Sequence, residues 1–338
     1  MPKVRFNNMD HVNTDKTIKQ FRQWRQERRS KIKDYTFVVP NHLPELEFLH
    51  SNREMATATW VGHSTFFIQY LGLNIVTDPV WAERMAFDKR LAPPGIHIQD
   101  VPPLDIILLS HSHYDHLHLA SLRKLYRADT LILVPSGLKS KMIRKGFRNC
   151  HELQWWEHFT VGGVRITFVP AQHWTRRTPF DTNTSHWGGY VLQSEQQMIA
   201  SATSVAGSDA HAESDSAEGE APTLYFVGDT GYFRGFKEIG ERFAIDLTFM
   251  PIGAYEPEWF MTSQHVTPEE ALQGFVDCGA DQMIPMHYGA FKLADDTPRE
   301  ALDRLEVERE RLGIAKERIH VLGHGETLKI GRRCSTRI

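Results

Sequence analysis

The sequence predicts a layered α/β sandwich, on three observations. Apolar runs of strand length open the core near Thr57, helix-period segments alternate with strand-like runs after them, and no apolar run approaches the roughly 18–20 residues of a membrane span. The 338 residues are 41% apolar and 24% charged, the make-up of a folded globular chain. Lys+Arg 39 against Asp+Glu 42 leaves a formal charge of −3, which excludes a chain-wide polyanion binder and makes any basic patch local. Cys150, Cys278 and Cys334 are few and far apart, so they form neither a disulfide framework nor a CxxC zinc site. With no apolar h-region near Met1, the expected compartment is the cytoplasm.

Residues 1–56 read as a basic N-terminal extension. From Lys16 to Lys33 there are eight Lys/Arg and one acid, Glu27. Ile18, Phe21 and Trp24 recur at helical spacing beside Arg25, Arg28 and Arg29. Such a helix either packs its few apolar residues on the body or lies on the anionic inner face of a membrane. Ala58–Tyr70 and Leu73–Thr77 read as two strands joined at Gly72, the second ended by Pro79. Pro93-Pro94-Gly95 and Pro102-Pro103 mark a loop. Leu104–Leu109 is a short apolar strand with Asp105 near its start, Leu117–Tyr126 a helix, Leu131–Pro135 a strand and Ser136–Lys145 a basic helix.

Further strands are expected at Phe159–Thr160, Val164–Pro170, Gly189–Gln193, Leu224–Val227, Leu247–Pro251 and Gln282–Met286. Phe236–Phe243 reads as a helix, Pro268–Cys278 as a helix with Pro in its first turn, and Pro298–Leu312 as a charged amphipathic helix. Ile319–Leu322 and Glu326–Ile330 are the closing strands, and 331–338 a tail. The stretch 194–222 is rich in Ser, Ala, Gly, Asp and Glu and has no aromatic residue. It cannot bury enough apolar surface to offset chain entropy, so a disordered acidic insertion is expected there.

The chemistry concentrates in Ser110-His111-Ser112-His113-Tyr114-Asp115-His116-Leu117, directly after the apolar strand. His111 and His113, two apart on extended chain, project to one side and can share one cation. Asp115 and His116, at the turn into a helix, can reach a second. Imidazole and carboxylate donors suit Zn, Fe or Mn. Three further donors follow strand ends: His173, Asp229 (in Phe226-Val227-Gly228-Asp229-Thr230) and His287.

His-x-His-x-Asp-His with a later His, Asp and His resembles the pattern of the metallo-β-lactamase fold hydrolases, over roughly residues 57–330. Thr59-Trp60-Val61-Gly62-His63-Ser64-Thr65, Thr77-Asp78-Pro79-Val80, Gln172-His173-Trp174-Thr175-Arg176-Arg177-Thr178, Gln264-His265-Val266-Thr267-Pro268 and Met286-His287-Tyr288-Gly289 look like the branch of the N-acyl-phosphatidylethanolamine-hydrolysing phospholipase D. The ascorbate-6-phosphate lactonase branch shares the first two motifs. The acidic insertion and the N-terminal region fall outside the pattern. The resemblance implies an αββα four-layer sandwich and two divalent metal ions per chain, zinc first, with iron or manganese as alternatives. By the same resemblance, His111, His113 and His173 would hold one ion, Asp115, His116 and His287 the other, and Asp229 would bridge them.

The implied reaction is phosphodiester hydrolysis by a hydroxide shared between the cations, releasing N-acylethanolamine and phosphatidic acid, with Asp115 and Asp229 as the carboxylates at the reacting centre. Asp78 is expected to orient a ligand imidazole, or to cap the turn at Pro79. His63 is either beside the ligands or a buried structural histidine. His265 lines the substrate pocket or caps the following helix. Arg177 is a candidate phosphate clamp or a solvated arginine. Trp155, Trp156, Trp174, Trp187 and Trp259 are candidates for an acyl-chain groove as well as for plain core. The expected partner is a phospholipid or another phosphoester, with peripheral membrane association and a homodimer left open and no nucleic acid. The competing reading is a soluble metal-dependent hydrolase of phosphorylated lactones or other phosphoesters.

Overall fold

Two twisted sheets lie face to face with helices on both outer sides. The structure, a computed structural model, describes residues 4–85, 88–197 and 220–331. The first sheet holds β1 (Thr57–Gly62), β2 (Thr65–Tyr70), β3 (Leu73–Thr77), β6 (Ile106–Leu108), β7 (Leu131–Pro135), β8 (Cys150–Leu153) and β15 (Thr327–Lys329). Its order is β15-β1-β2-β3-β6-β7-β8, antiparallel up to β3 and parallel from β3 to β8. A two-residue hairpin, β4 (Arg84–Met85) with β5 (Asp88–Lys89), stands apart. The second sheet holds β9 (His158–Val161), β10 (Val164–Val169), β11 (Gly189–Ser194), β12 (Leu224–Phe226), β13 (Leu247–Pro251) and β14 (Gln282–Met286). Its order is β14-β13-β12-β11-β10-β9, with β12, β13 and β14 parallel.

Alternation decides which residues meet between the sheets. Ala58, Trp60, Phe66, Ile68, Ile75, Ile106 and Leu108 turn inward and pack with Ile166, Phe168, Tyr190 and Phe226. The opposite-facing Val61, Phe67, Val76, Ile107, Ile132 and Val134 pack under Leu49, Leu122 and Met142. Those three belong to α2 (Leu46–Ser51), α3 (Leu119–Leu125) and α4 (Lys139–Arg144). The other outer layer is α5 (Gly235–Arg242), α7 (Pro268–Asp277) and α8 (Pro298–Arg311), which bury Phe236, Ile239, Leu272, Phe275 and Leu305. Capping boxes at Thr267/Glu270 and Thr297/Glu300, each followed by Pro, start α7 and α8. The αββα expectation is met.

Several elements differ from the sequence reading. Ala58–Tyr70 is two strands, because the chain turns at His63-Ser64 with His63 at φ 57. Cys150–Leu153 is an edge strand that no apolar alternation announces. Ile319–Leu322 is not a strand; Ile319 makes one bridge to Met283. Of the acidic insertion expected at 194–222, residues 198–219 lie outside the described residues, as do 332–338 of the tail.

The basic helix forms as α1 (Ile18–Ser30), started by a Thr17/Gln20 capping box, and it packs on the body. Trp24 stacks on Phe260 with ring centroids 5.4 Å apart, and Arg28 pairs with Asp295 at 3.2 Å. Phe260 belongs to the short helix α6 (Glu258–Met261). Among the described residues no helix is long and apolar enough to cross a membrane.

Candidate active site

Strands β1, β3, β6, β10, β12 and β14 deliver the site residues beyond their C-terminal ends. β1, β3 and β6 run one way in their sheet, and β10, β12 and β14 one way in theirs. His63 follows β1, Asp78 β3, the Ser110–His116 loop β6, His173 β10, Asp229 β12 and His287 β14. Three of these residues sit at positive φ: His63 at 57°, Asp78 at 32° and His287 at 64°. Side-chain-bearing residues held there store strain, which the surrounding sandwich enforces. Gly228, at φ +70, turns the chain so that Asp229 points inward; a Cβ there would lie 2.8 Å from the Gly188 carbonyl and 2.9 Å from Ser110 Cβ.

The donors gather into two adjoining groups. In the first, His111 Nε2 lies 2.9 Å and His173 Nε2 3.1 Å from His113 Nδ1. In the second, His116 Nε2 lies 3.2 Å from His287 Nε2 and 3.3 Å from the Asp115 carboxylate. His63 joins this second group, with Nε2 3.0 Å from Asp115 Oδ2. Asp229 touches both: Oδ2 is 3.1 Å from His116 Nε2, 3.7 Å from His173 Nε2 and 3.8 Å from His111 Nε2, and Oδ1 is 3.1 Å from His287 Nε2. All seven donors expected from the sequence are therefore brought together.

The far side of each ring is held as well. Asp78 accepts from His116 Nδ1 at 2.7 Å and from the Ser110 amide and hydroxyl at 2.7 and 2.5 Å. That contact fixes which nitrogen of His116 faces Asp229, so Asp78 orients the ring. His173 Nδ1 is set by the Gln264 carbonyl at 2.9 Å and His111 Nδ1 by the Ser110 hydroxyl at 2.9 Å. His265 stands at the rim, Nδ1 4.0 Å from Asp229 Oδ2 and its ring 5.1 Å from His173.

Charge divides the two groups. Burial, with the neighbouring imidazoles, pushes His111 well below its ordinary range and His113 down to about 3; burial brings His173 down to about 4. Burial also drives His63 down to about 3 and His265 well below its ordinary range. Burial opposes charge at His116 and His287, yet Asp229 and Asp115 hold His116 well above the usual range and His287 up at about 9. Despite burial, His116 and His287 keep Asp229 well below the carboxylate range. Neutral imidazoles converging on a point each have a ring-nitrogen lone pair to offer, and two carboxylates draw positive charge to the Nε2 atoms of His116 and His287. This donor set fits divalent metal ions.

Other residues are placed differently from expectation. Arg177 turns its Nη1 to the carbonyls of Ser112 (2.7 Å), Leu117 (2.9 Å) and His113 (3.3 Å), and its guanidinium lies 4.0 Å over the Tyr114 ring. Those contacts brace the ligand loop, where the sequence left open a phosphate clamp or a solvated arginine. Of the five tryptophans, Trp174 alone stands beside the cluster, edge-on to His113 at 4.8 Å. Trp187 is buried core, Trp155 bonds the Trp187 carbonyl, Trp156 lies under Arg242, and Trp259 bonds Glu27 at the surface. Sequence reasoning missed Asn8, whose Oδ1 accepts from the His173 amide at 2.9 Å and from Trp187 Nε1 at 2.9 Å. No local signal marked it; the contact spans 165 residues. A cavity of about 500 Å³ opens at the cluster, lined by Arg84, Met85, His113, Tyr114, Asp115 and His118.

The family model described as Beta-lactamase superfamily domain matches residues 73–218 and 214–288. N-acyl-phosphatidylethanolamine-hydrolyzing phospholipase D 1 of Caenorhabditis elegans is 34% identical over 304 residues, covering 83% of this chain and 78% of that protein. The chain belongs to the metallo-β-lactamase fold hydrolases, as a relative of that phospholipase D. The Saccharomyces cerevisiae protein named N-acyl-phosphatidylethanolamine-hydrolyzing phospholipase D, mitochondrial, is also 34% identical, over 282 residues and 80% of this chain; the chain spans 55% of its length. Among solved structures, Igni18, a metallo hydrolase from Ignicoccus hospitalis, shares the fold at a TM-score of 0.57 and 22% identity, covering 81% of this chain and 98% of that one. This member of the family is a metal-dependent hydrolase.

Proposed function

We propose that this hydrolase is a phosphodiesterase of the N-acyl-phosphatidylethanolamine phospholipase D type, working with two divalent ions, zinc first. The observation that carries the reading is the full seven-residue cluster in a chain 34% identical, over 83% of its length, to a protein named for that reaction. His111, His113 and His173 would hold one ion, Asp115, His116 and His287 the other, with Asp229 against both. Bound there, the ions would supply Lewis acidity and bring a water's pKa toward neutrality.

The chain's own residues do the rest. Asp78 keeps the Nδ1 proton of His116 in place and so aims Nε2 at the centre. Arg177 and Tyr114 fix the loop, so that the donors lose little freedom when substrate arrives. The sandwich keeps water from the buried side of the cluster, where fixed charges act more strongly than in bulk solvent. The cavity beside His113 and Asp115, with Met85 and Tyr114 in its wall, suits an amphiphile whose phosphate reaches the cluster.

The test is incubation of metal-assayed protein with N-acyl-phosphatidylethanolamine in mixed micelles, with products followed by mass spectrometry. N-acylethanolamine and phosphatidic acid, formed in proportion to bound metal, are expected. No product from fully metallated protein would overturn the lipid assignment and move the search to soluble phosphoesters and lactones.

A further inference from the structure

Helix α1 has two faces with opposite fates. Phe21, Trp24 and Arg28 turn to the body, where Phe21 meets Phe260 edge-on at 5.3 Å. The charges on or near that side are neutralised: Arg28 and Lys31 reach Asp295, and Lys33 reaches Glu256 at 2.7 Å and Glu300 at 2.6 Å. Ile18, Arg22, Arg25 and Arg29, spaced i, i+4, i+7 and i+11, form one outward stripe, with Lys19 beside it. All five are exposed, and the four cations have no ion pair or hydrogen bond among the described residues. Apolar side chains flank them: Ile18 is 74% and Ile32 100% exposed. Beneath the arginines runs an open groove of about 600 Å³ lined by Phe21, Trp24, Arg25, Arg28 and Arg29.

We infer that this stripe docks the enzyme on an anionic phospholipid bilayer. The unpaired guanidiniums of Arg25 and Arg29, beside the groove floored by Phe21 and Trp24, match a headgroup phosphate above acyl chains. The exposed Ile18 and Ile32 separate this surface from one made for a fully hydrated polyanion, which needs no apolar flank. Its position relates it to the active site. Lys16, just before the helix, bonds the Ser263 hydroxyl at 3.0 Å, and the next residue, Gln264, holds His173 Nδ1 through its carbonyl. The N-terminal end of α1 is thus tied through Ser263 to the segment that positions His173. The inference concerns this surface and does not depend on the reaction assigned above.

The test is co-sedimentation of the full chain with vesicles of phosphatidylcholine alone and of phosphatidylcholine with 30% phosphatidylglycerol, at low and at physiological salt. The partner variant carries Arg22→Glu, Arg25→Glu and Arg29→Glu, its melting temperature and metal content checked against the parent. The parent is expected to partition onto the anionic vesicles and to weaken with salt. The triple variant is expected to lose partitioning by at least about 10²-fold, since each basic residue near such a surface is worth roughly fivefold and each glutamate adds repulsion. Ile18→Ser should weaken binding less and with little salt dependence. Equal partitioning onto both vesicles, or an unchanged triple variant, would overturn the inference. So would a parent that ignores the vesicles and binds duplex DNA at the same salt. Sedimentation reads no turnover, so failure here leaves the phosphodiesterase reading untouched, and failure of that reading leaves docking standing.

Discussion

The two halves of the metal site meet at Asp229 and are built from different chemistry. His111 and His173 are steadied from behind by neutral groups, the Ser110 hydroxyl and the Gln264 carbonyl. His116 is steadied by the Asp78 carboxylate and faces Asp115 and Asp229. Burial holds the first group neutral, a set of buried ring nitrogens, while in the second the carboxylates outweigh burial and favour positive charge on His116 and His287, though not on His63. A cation entering the first group displaces few protons. One entering the second must displace protons that the carboxylates favour, yet gains their charge. The difference teaches that one cluster can offer a divalent metal two adjoining donor groups of unlike charge, and that two ions bound there would load with different pH dependence.

Asp229 is where the comparison breaks first. Asp229→Asn withdraws charge from both groups, and turnover is expected to fall by at least ~10³-fold, since a Lewis acid's worth is several kcal/mol. Metal analysis should show loss from both groups; retention of a full complement would deny Asp229 its shared place. His113→Ala touches the neutral group alone. It is expected to cost nearly as much turnover but only about half of the bound metal, and simultaneous loss of all metal would show that the halves load as one. Asp78→Asn tests the carboxylate behind His116. A loss of roughly 10–100-fold in metal affinity or activity is expected, largest in the second group, with a smaller effect on the first through the Ser110 hydroxyl that links Asp78 to His111.

Smaller effects sharpen the picture by separating the site from its scaffold. Gly228→Ala places a Cβ against Gly188 and Ser110 at positive φ, and a loss of about 1–3 kcal/mol in denaturant unfolding is expected. His186, outside both groups, lies between Phe6 at 4.5 Å and Trp155 at 4.2 Å, and burial lowers it to about 3. Its folded pKa is below its unfolded value of about 6.5, so the unfolded chain takes up more protons as pH falls from 6.5 toward 3, and stability drops in that window. His186→Phe should flatten the melting-temperature slope there by a small amount, leaving the part that belongs to the site's own histidines. An unchanged slope would assign the whole acid sensitivity elsewhere.

Much of the molecule was legible because its signals are local. β7, β13 and β14 match the sequence reading residue for residue, each a short apolar run with a boundary at hand. The helices with Thr-Pro starts and a Glu in the first turn were equally plain. The His-x-His-x-Asp-His run declared its chemistry because four donors in six residues have few other uses. The edge strand Cys150–Leu153 was not legible, since a parallel edge pairing leaves no periodic mark in four residues. The turn at His63 was missed because nothing in its neighbours demands a positive φ; the fold imposes it.

The sequence by itself determined the layered class, the donor types and their order along the chain, for composition and spacing are properties of the chain alone. Tertiary structure decided how those donors divide into a neutral and a carboxylate-backed group. It gave Arg177, a residue whose role the sequence left open, a place bracing the ligand loop. It also decided which face of α1 is buried against Phe260 and which is left open. Those outcomes rest on contacts between residues far apart in the chain, such as His63 with His287, 224 positions apart, and on burial that no local pattern encodes.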